Sequence, residues 1–168
     1  MSEDNFYNGT EDGSNDNSMA AFENFDISTE YKPDPLIPNG KYRAAVKAVR
    51  ADAKQFCIVW TLVLQDNDVY ASDGETSIDG MELQNRNWLP KPGDENEFSK
   101  SGKTTKRQSK INMLKKFADK MKINMSTPQT IAEAISNGDW IGLDVIVDVA
   151  TSEWKGEVRN EINGMIAA

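Results

Sequence analysis

The chain has no histidine and a single cysteine, Cys57, among its 168 residues. Those two shortages exclude much chemistry at once. A zinc site needs about four Cys, His or carboxylate ligands, and the Cys/His versions cannot be assembled here. Ser-His-Asp and Cys-His catalysis both need an imidazole. One thiol forms no intramolecular disulfide, which fits a reducing, cytoplasmic compartment. Long apolar runs are also missing. A stretch such as Cys57 to Leu64 is far short of the ~20 residues that span a bilayer. The opening MSEDNFYNGT has neither a basic nor an apolar segment, so no signal peptide and no membrane partner are expected.

The glycines form neither a phosphate loop nor a GxGxxG fingerprint, and no cofactor is expected. A metal nuclease can be built from carboxylates alone, and acidic pairs do occur at Asp66/Asp68 and Asp94/Glu95/Glu97. They sit in loops without a Lys or Glu at a recognisable spacing. The expectation is a binding protein, not an enzyme.

Charge is present but unevenly placed. The net charge is −8, and residues 1–35 hold nine acids against one base, Lys32. Residues 36–168 hold 18 of each sign, so the acidic excess belongs wholly to the N-terminal arm. Residues 1–30 are rich in Asn, Asp, Glu, Ser and Gly and poor in apolar groups, a composition that predicts disorder. Within them, MAAFENFDI places two phenylalanines among acids. It reads either as a short helix that docks on a partner or as a solvated tail. YKPDPLIPN then makes a proline-rich linker, and residues 36–168 form the domain.

Alternation predicts strands over 41–49, 56–64 and 81–89. In the first, Tyr42, Ala44, Val46 and Ala48 share one face, with Arg43 and Lys47 on the other. In the second, Phe56, Ile58, Trp60, Leu62 and Leu64 oppose Cys57, Val59, Thr61 and Val63, so both faces are apolar. Residues 66–80 read as a polar loop. Helical spacing follows over 104–121, with Ile111, Leu114, Phe117, Ala118 and Met121 in one stripe. A second helix starts at Ser126 or Thr127, has Pro128 in its first turn and stops at Gly138. A strand over 140–149 points Ile141, Leu143, Val145, Val147 and Val149 inward. A turn at Trp154-Lys155-Gly156 leads into a last strand over 157–166. The class is mainly β with a helical insert. The order matches a five-stranded OB-like barrel with helices between strands 3 and 4, and an open β-sandwich with the same insert matches equally.

Residues 100–122 carry nine bases against one acid, Asp119. Such a run draws phosphate backbones through counterion release, or is simply the solvated face of an amphipathic helix. Its first half, Lys100, Lys103, Lys106, Arg107 and Lys110, begins in a Ser/Gly loop that suits wrapping a strand. Trp60 reads as core and Trp140 as packing. Trp88 shares a polar strand face with Glu82, Gln84 and Arg86, and either stacks on bases or is covered by the helical insert. Trp154 sits at a hairpin tip beside Lys155, with Arg159 close behind. The candidate nucleic-acid contacts are therefore Arg43, Lys47, Arg86, Trp88, the five bases just named, Trp154, Lys155 and Arg159.

The stretches LIPNGKYRAAVKAV, QFCIVWTLVL and GLDVIVDVATSEWKGEVRNEINGM resemble small phage proteins of replication and recombination, the phage single-stranded DNA-binding proteins of the OB class. The shared pattern is a proline and glycine entering the first strand, and an E-aromatic-x-G turn before a closing N-E-[IV] strand. The resemblance covers about 36–65 and 141–166 and implies sequence-tolerant binding of single-stranded DNA, with replication or recombination proteins as partners reached through the acidic arm. The chain departs from that group in carrying its acidic tail at the N-terminus and ending in neutral GMIAA. The rival expectation is a phage virion component, a capsid decoration or tail protein whose arm threads between subunits.

Overall fold

A computed structural model describes residues 19–168. The expectation of disorder for the first part of the arm falls on residues 1–18, outside the described residues. The chain divides between Asp34 and Pro35 into two units. In the first, Met19–Phe22 makes a turn and α1 (Ile27–Glu30) a single helical turn capped by Asp26, whose carboxylate accepts the Ser28 N–H. Phe22, Phe25 and Ile27 are all exposed.

The second unit is a five-stranded antiparallel sheet with helices inserted between its third and fourth strands. The strands are β1 (Gly40–Asp52), β2 (Cys57–Leu64), β3 (Glu82–Trp88), β4 (Asp144–Trp154) and β5 (Glu157–Ala167). Their order in the sheet is β3-β2-β1-β4-β5. Both edges, β3 and β5, touch each other and α2 (Lys106–Met121) without closing a hydrogen-bonded ladder. β1 bends the sheet. Its first half pairs with β4 and its second with β2, and a bulge at Lys47 lies near the change of partner. A bulge adds one unpaired residue and increases local twist, which lets one strand serve two directions of the sheet.

The bulge also changes phase. Tyr42, Ala44 and Val46 point inward as expected, but beyond Lys47 it is Val49, not Ala48, that turns toward the core. Two further expectations are corrected. Phe56 is not in β2 but in the preceding turn, at φ +53° and exposed. Ile141 is 56% exposed and does not point inward, because Gly142 at φ +84° keeps the chain in a turn until Asp144.

The inner face of the sheet holds Ile58, Trp60, Leu62, Leu64, Val145, Val147, Val149 and Met165. α2 and α3 (Pro128–Asn137) seal it with Ala118, Met121, Ile131 and Ala134. Thr127 caps α3, Pro128 opens it and Gly138 ends it at φ +68°, as the spacing predicts. Trp60 lies at the centre, stacked on Trp140 (5.2 Å, 19°) and tilted against Phe117 (5.4 Å, 59°). Its indole N–H donates to Asn87 Oδ1 at 2.6 Å, which satisfies the one polar atom such a burial strands.

The segment before β1 is clasped. Ile37 N–H donates to Asn160 Oδ1 (2.8 Å), and Asn160 Nδ2 donates back to the Ile37 carbonyl (2.8 Å). Leu36 is bonded through its N–H and carbonyl to Ser72. Ile37 is thereby buried with Ala71 and Ile78.

Candidate functional site

Register assembles the outer face of the sheet. Residues opposite one another in an antiparallel pair share a face, so Trp88, Arg86, Gln84 and Glu82 of β3 lie beside Cys57, Val59, Thr61 and Val63 of β2. On the other flank, Asp52, Arg50 and Ala48 of β1 lie beside Cys57, Val59 and Thr61. Long side chains thus line the β3 side of a row of shorter ones, and on the β1 side Arg50 alone matches them, between Ala48 and Asp52; this strip is the outer trough. At one level Arg50 and Arg86 face each other across Val59, and at the next Trp88 stands beside Cys57. Gln84, Arg86, Trp88 and Arg50 are all exposed, Trp88 at 48%, so among the described residues no element packs over these side chains. Cys57 and Val59 are nonetheless buried.

The trough's charges are loosely held. Arg50 meets Asp52 at 3.6 Å, and Arg86 donates to Gln84 at 3.3 Å. Lys47, the unpaired residue of the bulge, forms an ion pair with Glu82 near the level of Val63. Arg43 is exposed farther along the same face, beside Ile146 of β4. Arg50 did not figure among the expected contacts. Strict alternation from Tyr42 would turn it inward, and only the bulge turns it out.

The β4–β5 hairpin carries a second cluster. Lys155 and Gly156 form its two-residue turn at φ +50° and +78°, the doubly left-handed geometry that matches strand twist. Trp154 is 58% exposed at the tip. Lys155 Nζ lies 4.3 Å from its ring and Arg159 Cζ 5.1 Å, the latter because Arg159 pairs with Ser152 and so shares the Trp154 face. An indole flanked by two cations offers a stacking surface with phosphate donors attached.

The basic run divides. Asp94, 2% exposed in a 3-10 turn at Asp94–Asn96, accepts Lys110 Nζ at 2.6 Å and the Lys91 N–H at 3.0 Å. Those two bonds, Lys110 first, hold its carboxyl below the usual range. Lys106 is paired with Glu97, which holds the Glu97 carboxyl down and the Lys106 ammonium up. Lys110 is therefore a structural ion-pair partner, and Lys106 a half-exposed one. Lys100, Lys103 and Arg107 are exposed and have no ion pair among the described residues.

The loop carboxylates shape turns. Asp66 accepts the Asp68 N–H, and Asp52 those of Lys54 and Gln55. Among the described residues no three Cys, Asp or Glu side chains converge as a metal cluster would, and no helix is long and apolar enough to cross a membrane. No known protein family matches the chain in sequence, and no curated protein does.

Proposed function

We propose that the domain is an OB-type barrel that binds single-stranded DNA along the outer trough of β1, β2 and β3, without catalysing a reaction. The observation that carries the reading is the Arg50–Val59–Arg86 row with Trp88 beside it, on a face left open by the helices. The sheet order and the helices between β3 and β4 fit the OB arrangement, in which the β2–β3 face and the loop between the last two strands hold nucleic acid. The Trp154 cluster occupies that loop. Two guanidinium groups have donors to spare for phosphate oxygens, and Trp88 offers a π-face that any base can cover. Contacts of this kind read backbone and stacking, so binding is sequence-tolerant and weakens with salt. This is the behaviour implied by the resemblance to phage single-stranded DNA-binding proteins, with a role in phage replication or recombination.

The test is titration of the full chain with fluorescent oligo-dT at two salt concentrations, following anisotropy and tryptophan emission. Binding at low salt that quenches tryptophan and weakens as salt rises is expected. No retention of oligo-dT at low salt would overturn the reading and leave a virion role as the stronger account.

A further inference from the structure

Between the 3-10 turn and α2 the chain folds back on itself. Ser99 N–H donates to the Thr104 carbonyl (2.8 Å), and Lys106 N–H to the Glu97 carbonyl (2.8 Å). Gly102, at φ +69°, closes the tip with its N–H on the Ser99 carbonyl (2.9 Å). Phe98 bridges to Thr105 across this tongue, which runs over residues 97–106. Its root is fastened twice, by Glu97 to Lys106 and by Asp94 to Lys110.

What the tongue presents is unusual for its size. Phe98 is 69% exposed, and Lys100 and Lys103 stand at the tip. Arg107 emerges one residue past the root, and all three cations are without an ion pair among the described residues. A lone exposed phenylalanine is ordinary on a protein surface. A phenyl ring on the same short tongue as two unpaired lysines, with a third unpaired cation one residue past its root, is complementary to a ligand that is flat and anionic at once.

We propose that this tongue is a second contact for single-stranded nucleic acid, in which Phe98 stacks on a base while Lys100, Lys103 and Arg107 meet the flanking phosphates. The inference rests on the binding reading above and extends it to a separate element. It divides the basic run by role: Lys106 and Lys110 position the tongue, and the other three touch the ligand.

The experiment compares F98A, F98L and F98W, and the triple variant K100A/K103A/R107A, in oligo-dT titrations across a salt series. F98A and F98L should each bind about tenfold more weakly, the lower part of the range for a lost stacking contact, while F98W holds wild-type affinity. The triple variant should flatten the salt slope by roughly 2, at ~0.7 per lost phosphate contact on a single strand. Melting temperatures should stay unchanged, since every altered side chain is exposed. Wild-type affinity and slope in all variants would overturn the tongue while leaving the sheet-face reading in place. Loss in F98A with full binding in F98L would replace stacking by a merely apolar contact and overturn the role given to Phe98. Failure of the wild-type chain to bind oligo-dT would remove both.

Discussion

The two faces of β2 are nearly equal in sequence and opposite in fate. Ile58, Trp60, Leu62 and Leu64 are sealed by α2, α3 and the facing strands. Cys57, Val59, Thr61 and Val63 are only slightly less apolar, and two of them are just as buried. The first cover is a set of packed helices that leaves only on unfolding. The second face is flanked by Arg50, Arg86 and Trp88, all exposed, with Arg50 meeting Asp52 at 3.6 Å and Arg86 donating to Gln84 at 3.3 Å. Burial alone does not tell the two faces apart; the exposure of the residues around them does.

The sharpest way to break this comparison is to truncate on the sealed side. Trp60→Ala should cost ~3–5 kcal/mol of stability, the range for aromatic truncation in a core, measured by denaturant unfolding. The matching change on the open side, Trp88→Ala, should cost little stability and ~1–3 kcal/mol of oligo-dT affinity. Trp154→Ala should behave like Trp88→Ala, with a smaller quench of tryptophan emission on binding. If Trp88→Ala unfolds the domain instead, the distinction between the two faces fails.

Asp94 offers a third case, a buried group whose partner is a charge. Its carboxyl is held below the usual range by Lys110, so the stabilisation it supplies is present above its unfolded-state pKa and is lost as pH falls through the lower folded value. Asp94→Asn should therefore melt several degrees below wild type at neutral pH. The gap should narrow below roughly pH 4, as the wild-type carboxyl itself takes up a proton. A gap constant with pH would mean that the ion pair contributes nothing. The smallest effect belongs to the arm. Removing residues 1–30 should change stability by less than about 1 kcal/mol, since a segment with few native contacts adds little. On the proposed binding reading it should also tighten oligo-dT binding at low salt if the acids of the arm compete with the ligand, since such competition is least screened there. Equal affinity at every salt concentration would end the competition idea.

Much of the fold was legible because periodicity is a local signal. The alternation of Ile58, Trp60 and Leu62, the stripe from Ile111 to Met121, and the Thr127-Pro128 start and Gly138 stop of α3 all lie within a few residues of one another. The polar face of β3 was readable for the same reason. What stayed hidden depends on distant partners or on one inserted residue. The bulge at Lys47 leaves no compositional mark, yet it turns Arg50 outward and makes half of the trough. The Lys110–Asp94 pair joins residues sixteen apart, so charge counting treated Lys110 as equivalent to Lys103. Phe98 carries no periodic signal, and only the fold-back of residues 97–106 sets it on one tongue with Lys100 and Lys103.

The clasp of Asn160 on Ile37 decides where a shortened version of this protein can begin. By chain order the domain opens at Gly40, but its last strand holds a residue three places earlier as though that residue were a further strand. A version starting at Gly40 would leave the Asn160 amide without its two bonds and take the buried Ile37 out of the core cluster. Such a protein should aggregate or express poorly for reasons unrelated to its ligand. One starting at Pro35 keeps the clasp, and a purification tag joined there should leave the β-domain as stable as in the full chain.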